Sequence, residues 1–572
     1  MNGKKKNYTL GICYCETSSA TLFENGRIIS AVSEERFSRK KYDPSFPLKS
    51  IKWILKNSEI KLSRVNQISY CWYKGFDKNL DSLYEDRKKD LIRNKKSYKI
   101  FNLRKNIESQ RDRKSLNKLI NWKKNNLNKL QAKKLKIYYH HEAHAASAAL
   151  LSPFNNGLVL TCDARGDYES LTLSFFDRKK KNCLKKIHSS TSSDSLGFFY
   201  GRITGLLGYK PSKHEGKITG LAAHGNPMKA INLMRKMITV KQGKLRSNLG
   251  DYYKPFFSSY NSKLIKEIKR FRREDIAAAA QYHLEWCLIK FLKYHFKKNK
   301  IKSQINLMLA GGVFANVKVN QALKSLKFIK NIFVQPQMND GGLCIGAASL
   351  SIHENKQKIL PLKNVYLGPE VNKEKLISLI KKNRKIEFYR PSLIYKDICN
   401  DLYDNKVIGL VRGKMEFGPR ALCNRSIIYK TSDKTVNDWL NLRLKRTEFM
   451  PFAPVIREEI SKHAFKNFSK KDISLNFMTS TIDCTNKFKS NSPAATHIDQ
   501  TARPQIVSKS SDKFMWNLLK EWETVSGEMS LINTSFNVHE EPIICNEQEA
   551  INSLLKGTVD ILYIENLRVS LR

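Results

Sequence analysis

The chain has 572 residues, of which 41% are hydrophobic and 10% aromatic; this composition excludes an intrinsically disordered protein and predicts two or three domains. The formal net charge of +51 raises nucleic acid and other anions as partners. The basic excess is mostly lysine spread over the whole length, and no zinc finger, basic zipper or RNA-binding aromatic motif accompanies it, so we expect no dedicated nucleic-acid partner.

The N-terminal stretch and the cysteines predict a cytoplasmic location. The first apolar stretch is short and breaks at Glu16, which predicts a strand rather than a signal peptide, and no apolar run approaches the length of a membrane span. The eleven cysteines are scattered and lie mostly in apolar contexts, a pattern typical of a reducing compartment.

The first part of the chain contains a strongly basic insert. The elements predicted before it are a hairpin over residues 7–36, a helix over 48–58 and a strand over 68–74. The turn signal of the hairpin is Asn25-Gly26. Residues 76–136 are dense in lysine and arginine, and their apolar residues recur sparsely at helical spacing. We interpret this insert as solvated helices, with a substrate or partner role as the alternative.

The passage HHEAHAASAALLSPFNNGLVLTCD follows the insert and suggests a metal site. His140 and His144 are four positions apart, so that both imidazoles lie on one face of a helix. The next predicted strand ends on the carboxylate of Asp163, and strand ends commonly present reactive groups to a cleft. The His-Glu-x-x-His order of zinc proteases is absent. A partly buried pair of histidines at a helix cap is the alternative interpretation.

The remainder of the first domain alternates helices and strands. The predicted elements are strands over 157–163 and 170–177, a helix over 274–298, a strand over 305–312, a helix over 313–323 and a strand over 332–337. The strand, glycine-rich turn and helix around Gly311 and Gly312 form an arrangement that offers backbone N–H groups to an anion. No internal repeat is evident in the sequence.

A polar stretch over residues 353–395 marks the predicted domain boundary, and the second domain carries clusters of phosphate-binding character. Guanidinium groups near strand ends suit phosphate or carboxylate, and amide and hydroxyl groups nearby add hydrogen bonds. The residues concerned are Arg412, Lys414, Arg420, Arg425, Arg503, Gln505, Asn533, Thr534, Ser535 and Asn537. They predict a site for a phosphorylated nucleotide or an acyl phosphate. The alternative is that the arginines form structural ion pairs with Glu416, Glu448 and Glu541.

Taken together, the motifs resemble the O-carbamoyltransferase family of antibiotic and nodulation-factor biosynthesis. The matching strings, in chain order, are SEERFSRKKYDPSFP, HHEAHAASA, EGKITGLAAHG, LAGGVFANVKVNQAL, MNDGGLCIGAA, GKMEFGPRALCNRSI, MPFAPV, DQTARPQIV and NTSFNVHEEPI. Each is modest alone, but nine in order are highly specific.

The resemblance implies a two-domain α/β fold. The N-terminal domain is expected to be of the ASKHA type, the duplicated fold of actin-like ATPases and sugar kinases, and the C-terminal domain to be YrdC-like, as in threonylcarbamoyl-adenylate synthases. Together with the composition, this places the N-terminal domain at 1–355, a linker at 356–395 and the C-terminal domain at 396–572.

The resemblance also implies a reaction in two steps. Carbamoyl phosphate and ATP would give carbamoyl-adenylate in the C-terminal domain, and the N-terminal domain would pass the carbamoyl group to a hydroxyl of a small molecule or carbohydrate. The implied metal, typically Fe²⁺, would be bound by His140, His144, Asp163 and Asp340, and His140, Asp163 and Asp340 would be catalytic. The implied ligands of the adenylate and phosphates are Gly311, Gly312, Asn316, Arg420, Arg425 and Arg503.

The chain departs from the family pattern at several positions. Residues Glu16–Ser19 replace a His-Asp-Ala-Ser stretch, Cys423 replaces a glycine, and Met450 replaces an arginine often found there. The basic insert has no firm counterpart in the family. Two further hypotheses therefore stay open: a tRNA-modifying threonylcarbamoyl transferase, which the charge favours, and a sugar-kinase-like binding protein without catalysis. The sequence does not identify the acceptor, and a homodimer is one of the arrangements that it leaves open.

Overall fold

The computed structural model describes residues 6–72, 78–127, 134–257, 260–446 and 452–572. The chain forms two compact units. The first comprises Met1–Ile29 and Pro44–Pro361, and the second comprises Ser30–Asp43 and Leu362–Arg572. Both units are built from helices packed on mixed sheets, and the predicted two-domain α/β fold is confirmed.

The first sheet of the first unit has the strand order β3-β2-β1-β4-β5. Its strands are β1 (Tyr8–Cys13), β2 (Ser19–Glu24), β3 (Arg27–Ser33), β4 (Gln67–Cys71) and β5 (Leu135–Tyr138). β1 pairs antiparallel with β2 and parallel with β4, and β4 pairs parallel with β5. The predicted turn is present, since Asn25 and Gly26 both have positive φ.

The second sheet repeats this topology, with the order β12-β11-β6-β7-β8. Its strands are β6 (Asn156–Gly166), β7 (Glu169–Asp177), β8 (Leu184–Thr191), β11 (Ile305–Ala310) and β12 (Ile329–Val334), and a separate ribbon holds β9 (Ile238–Lys241) and β10 (Lys244–Ser247). β6 to β8 are antiparallel neighbours, and β11 is parallel to both β6 and β12. Each half is thus an antiparallel three-stranded meander followed by two parallel strands, which is the duplication expected of the ASKHA type.

Helices cover these sheets and bury a large apolar core. The helices of the first unit outside the insert are Leu48–Asn57, His140–Ala149, Leu196–Leu206, Glu215–Leu221, Pro227–Met237, Ser262–Ile268, Arg273–Lys298, Val317–Lys324 and Leu343–Glu354. Arg273–Lys298 agrees with the predicted helix over 274–298 to within one residue.

Within its described residues, the basic insert contains the helices Lys78–Leu91 and Lys95–Asn126, where the sequence predicts helices over 76–136. Residues 76–77 and 128–133 lie outside the described residues, and residues 135–136 belong to strand β5 rather than to a helix. Only part of its surface is solvated. One face of the longer helix is buried and carries apolar and charged residues together: Ser97, Phe101, Arg104, Glu108, Asp112, Leu119 and Trp122. The sparse apolar pattern understated this packing because charged side chains occupy three of these seven buried positions.

The second unit is built on an eight-stranded sheet with the order β13-β22-β21-β14-β15-β20-β16-β19. Its strands are β13 (Ile386–Tyr389), β14 (Ile408–Val411), β15 (Arg425–Lys430), β16 (Ala453–Arg457), β19 (Gln505–Val507), β20 (Ser530–Ser535), β21 (Ile561–Ile564) and β22 (Leu567–Leu571). The short strands β17 (Ile482–Asp483) and β18 (Thr501–Ala502) pair separately. Its helices are Glu35–Ser38, Lys373–Lys382, Ile394–Tyr403, Val436–Arg443, Ser461–Ala464, Asn486–Asn491, Lys513–Ser526 and Glu547–Leu555.

The unit boundaries differ from the domain limits expected from composition. The stretch 356–395 contains the helix Lys373–Lys382 and strand β13, and both belong to the second unit. The exposed face of the helix is polar, which gives this part of the sequence its linker-like appearance, while Leu376, Ile380 and Ile386 pack into the second core.

Residues 30–43, which begin within strand β3, are grouped with the second unit, although they lie far from the rest of it in the sequence. The Ala31 N–H donates to the Leu367 carbonyl (3.1 Å), and Arg36 donates to the Gly418 carbonyl (3.0 Å). Arg39 donates to the carbonyl groups of Pro542 and Ile543. No local sequence pattern predicts that residues so far apart in the chain belong to one unit.

Candidate active site

Four ligand-type side chains converge in the first unit, at the ends of strands from both sheets. His140 and His144 lie on the helix that follows β5, Asp163 lies near the end of β6, and Asp340 begins a short 3₁₀ turn after β12. One ligand atom from each lies within 4.8 Å of the other three. The His144 Nε2 atom is 3.2 Å from Asp163 Oδ2 and 3.5 Å from Asp340 Oδ1. The corresponding distances from His140 Nε2 are 3.9 and 3.7 Å.

Burial makes this cluster costly without a ligand. The side chains of His140 and His144 are completely buried, and none of their four ring nitrogens has a hydrogen bond of normal geometry. Buried polar atoms without partners are rare in native proteins. Two imidazoles facing two carboxylates are a donor set that fits a first-row divalent ion.

Local backbone contacts fix the orientation of Asp163 and His140. The Asp163 carboxylate accepts hydrogen bonds from the backbone N–H groups of Ala164 (2.6 Å) and Gly312 (3.0 Å). The backbone N–H of His140 donates to Asp167 (2.7 Å), which anchors the start of the helix. A Cβ atom at Gly166 would lie 2.1 Å from the His140 ring, so the strand can pass this close only because residue 166 is glycine.

The charges of the cluster are strongly coupled. Burial, reinforced by the nearby Asp163 carboxylate, raises the pKa of Asp340 to about 7. Burial opposes protonation of His144, but the two carboxylates outweigh it and raise the pKa of His144 to about 9. Burial holds the pKa of His140 well below its usual range. Despite burial, the two histidines hold the pKa of Asp163 well below its usual range.

The glycine-rich turn predicted to meet an anion adjoins this cluster. Gly311 has φ +108°, and a Cβ atom there would lie 2.2 Å from the Cys162 carbonyl oxygen, so glycine is required. The N–H of Gly312 is used by Asp163. The Asn316 side chain caps the helix Val317–Lys324 and donates to Gln281 (2.7 Å). The turn therefore supports Asp163 directly.

In the second unit, basic side chains gather at one place. Burial, with repulsion from Arg420 and Arg446, holds the pKa of Arg503 well below its usual range. Burial lowers the pKa of Arg446 to about 10. In the described ranges, no ion pair joins a carboxylate to Arg446 or Arg503. The Arg446 guanidinium donates to Thr534 Oγ1 (3.0 Å) and lies over the Phe452 ring, 5.8 Å from its centroid. Cations so placed favour a multiply charged anion.

Two members of this group were missed in the sequence. Arg446 lies four residues before Met450, in a stretch where neighbouring charges obscured it. Lys41 comes from the segment 30–43, and burial lowers its pKa despite the nearby Glu35 carboxylate, with smaller contributions from Arg36 and Arg446 in the same direction as burial. The SRKKYD string carries Lys41, and it was the only available signal. Met450 itself and Glu448 lie outside the described residues.

Arg425, Lys414 and Ser535, which the sequence also predicts as phosphate ligands, have other surroundings in the second unit. The Arg425 guanidinium is buried and donates to four backbone carbonyls: those of Pro369, Arg412, Gly413 and Asn424. Lys414 is exposed on the same loop, and Ser535 pairs with Ser426 across β15 and β20. The structure therefore does not bring Arg425 to the basic group formed by Lys41, Arg420, Arg446 and Arg503.

Glu416, expected in one interpretation to pair with the arginines, instead holds the turn after it. Its carboxylate accepts hydrogen bonds from the backbone N–H groups of Leu422, Asn424 and Arg425. Cys423 lies in this turn with φ +75°, which explains why a glycine is usual there.

Beneath the turn, three buried side chains are joined. The Cys423 thiol donates to Gln505 Oε1 (3.2 Å), and Asn533 Nδ2 donates to the same oxygen (2.7 Å). Gln505 and Asn533 are thus engaged with the turn that carries Arg420.

Comparison with known proteins decides the family. Residues 8–349 match the model described as carbamoyltransferase N-terminus, and residues 399–570 match the model described as carbamoyltransferase C-terminus. The chain belongs to the carbamoyltransferase family. The resemblance inferred from the nine strings is confirmed, and so is the enzyme class, a carbamoyltransferase.

Relatives match over the whole chain. An uncharacterized protein of Methanocaldococcus jannaschii, MJ1051, is 32% identical over 570 residues, which cover 98% of this chain and 99% of the relative. The nodulation protein NolNO of Sinorhizobium fredii is 28% identical over 98% of this chain and 79% of its own length. Among solved structures, component A of (R)-2-hydroxyglutaryl-CoA dehydratase of Acidaminococcus fermentans matches 60% of this chain and 97% of its own, at 16% identity and a TM-score of 0.33. Within the described ranges, no helix combines the length and apolar character needed to cross a membrane.

Proposed function

We propose that this carbamoyltransferase acts in two steps at two sites. In the second unit, carbamoyl phosphate, ATP and water would give carbamoyl-adenylate, pyrophosphate and phosphate. In the first unit, the carbamoyl group would pass from the adenylate to a hydroxyl of a small molecule or carbohydrate, with release of AMP. Adenylation is chemically useful here because it gives the carbamoyl group a good leaving group.

The charge of the second unit supports the first step. Arg420 and Arg446 both repel Arg503, and bound phosphates would relieve that repulsion. Lys41 adds a further cation to the same group. These side chains would hold the phosphates of ATP and carbamoyl phosphate and bring the carbamate oxygen close to the α-phosphate.

The cluster of the first unit supports the second step. His140, His144, Asp163 and Asp340 would hold the metal, and Fe²⁺ suits their mixed nitrogen and oxygen donors. A bound divalent ion would supply an electrophilic centre that polarises the carbamoyl carbonyl or orients the acceptor oxygen. The Ala164 and Gly312 N–H groups keep the Asp163 carboxylate directed at the cluster, and the adenylate would approach along the turn that begins at Gly311.

One observation carries the proposal of a metal: the Nε2 atoms of two completely buried histidines, which make no hydrogen bond of normal geometry, face two carboxylates in a member of this family. The test is to incubate the full-length protein with ATP, carbamoyl phosphate and a panel of hydroxylated acceptors. We expect pyrophosphate release that requires both substrates, and acceptors that gain one carbamoyl group.

Removal of metal separates the two steps. Protein stripped with a chelator and then assayed with Mg²⁺ as the only added divalent ion should lose carbamoylation of the acceptor and keep pyrophosphate release, and added Fe²⁺ should restore the transfer. Absence of pyrophosphate under all these conditions would contradict the adenylation step. Full transfer in thoroughly chelated protein would contradict the metal.

A further inference from the structure

The longer insert helix, Lys95–Asn126, contains two acidic residues, Glu108 and Asp112, against eight lysines and three arginines. Both acids are completely buried and lie four residues apart on one face. Like charges at this spacing repel each other, and burial adds a desolvation cost. Their position in an otherwise basic helix therefore requires specific partners.

Arginines supply those partners from both sides. Arg104, one turn earlier on the helix, lies 3.4 Å from Glu108. Arg165 approaches from the end of β6, 3.0 Å from Asp112 and 3.6 Å from Glu108. A buried ion network of this kind contributes little to stability compared with apolar packing, but it fixes one geometry.

The network holds the chain segment that directly follows the cluster ligand Asp163. Arg165 is two residues after Asp163, and Glu108 also accepts a hydrogen bond from the backbone N–H of Tyr168 (2.8 Å). The insert therefore holds the segment that follows Asp163 at two points.

A second set of contacts leads from Asp112 to the ring of His140. Asp112 accepts a hydrogen bond from Trp72 Nε1 (2.8 Å), and the Trp72 ring packs edge-on against the His140 ring at 4.5 Å between centroids. The Arg165 guanidinium lies over the same indole ring, 5.2 Å from its centroid. Asp112 is thus linked to the segment of Asp163 through Arg165 and to His140 through Trp72.

We propose that Glu108 and Asp112 are positioning residues for the metal cluster, through which the insert sets the orientation of Asp163 and His140. This inference rests on the proposed metal site. The insert is then part of the site, and its loss would leave the four ligands present but poorly aligned.

The test is a titration of the full-length protein with Co²⁺, followed by its visible absorption. Asp112→Asn and Glu108→Gln each remove one charge and keep the size of the side chain. We expect the Co²⁺ affinity to fall about 10- to 100-fold, the range for partners that orient metal ligands, and the absorption bands to shift. The matched control is Glu85→Gln, which removes an exposed acid of the same insert that pairs with Lys88, and it should bind like the wild type.

A merely structural role predicts a different result. In that case Asp112→Asn would lower the free energy of unfolding of the metal-free protein but leave the Co²⁺ affinity and spectrum of the folded protein unchanged, and this outcome would overturn the inference. Wild-type protein that binds no Co²⁺ would instead contradict the proposed metal site itself.

Trp72→Phe decides the matter if the charge variants do not fold. Phenylalanine keeps an aromatic ring against His140 but lacks the N–H group that donates a hydrogen bond to Asp112. We expect a loss of Co²⁺ affinity of at least about threefold, smaller than that of Asp112→Asn. A wild-type affinity and spectrum in a folded Trp72→Phe variant would overturn the inference.

Discussion

The two candidate sites differ in how their side chains are assembled. In the first unit, His140, His144, Asp163 and Asp340 bring two imidazole nitrogens and two carboxyl oxygens within 4.8 Å of one another. The second unit gathers like charges, and Arg503 is destabilised as a cation by burial and by its neighbours Arg420 and Arg446. A metal site depends on short, directed bonds, whereas attraction of an anion sums over several charges at longer range. Substitution of a single residue should therefore remove most of the activity of the first site, whereas a single substitution in the second site should remove only part of its activity.

The largest effect is expected from Asp340→Ala. This change removes one of the four ligands, so transfer to the acceptor should fall roughly 10³-fold, the scale on which removal of one electrostatic stabiliser of a transition state acts. Pyrophosphate release should stay near the wild-type rate because it is proposed to occur in the second unit. Mass spectrometry of the acceptor and a pyrophosphate assay measure the two steps. Asp251→Ala, which removes an exposed acid of the same unit, is the control. An equal loss of both activities would contradict the division into two sites.

Gly166→Ala tests whether the first site is as sensitive to geometry as the comparison suggests. The added Cβ would lie 2.1 Å from the His140 ring, so either the ring or the strand must shift. We expect metal affinity to fall about 10- to 100-fold while all four ligands remain. Metal content after dialysis against a graded chelator measures the change. If the Gly166→Ala variant retains wild-type metal affinity, the cluster tolerates a shift of the His140 ring or of the strand.

Arg503→Ala tests the graded behaviour of the second site. Loss of one charged hydrogen-bonding group costs about 1.5–3 kcal/mol, so kcat/KM for pyrophosphate release should fall about 10- to 100-fold. Arg503→Lys keeps the charge and should recover most of that loss if summed charge dominates. If lysine behaves like alanine, the fixed fork of the guanidinium matters more than the charge, and the contrast between the two sites weakens.

Local signals in the sequence were sufficient for part of the first site. His140 and His144 were found because four-residue spacing on a helix is a local pattern, and Asp163 because a buried strand ends on it. Asp340 is 177 residues further along the chain, and only the resemblance connected it to the other three. Spatial convergence of distant loops is a property of the fold, and no short window of sequence contains it.

The features that the sequence did not reveal have two physical origins. The two halves of the first unit share a strand order, but a topology constrains backbone directions rather than residue identities, so no repeat is visible. The buried face of the insert helix was hidden because Arg104, Glu108 and Asp112 look like solvated charges until their partners are known. A lone pair of acids four residues apart in a basic helix was the available signal.

The smallest effect is expected from Cys423→Gly, which restores the residue usual in the family. Glycine relieves the positive φ of +75°, a gain of about 1–2 kcal/mol, but it removes a buried side chain whose thiol donates to Gln505, a loss of similar size. The free energy of unfolding should therefore change by no more than about 1 kcal/mol. Cys423→Ala loses the same thiol contact without relieving the backbone, so it should be the least stable of the three proteins in denaturant titrations. If alanine is instead as stable as glycine, the backbone at residue 423 is not strained. If both variants unfold as the wild type does, the thiol contributes nothing measurable, and the turn that carries Arg420 is maintained mainly by the hydrogen bonds to Glu416.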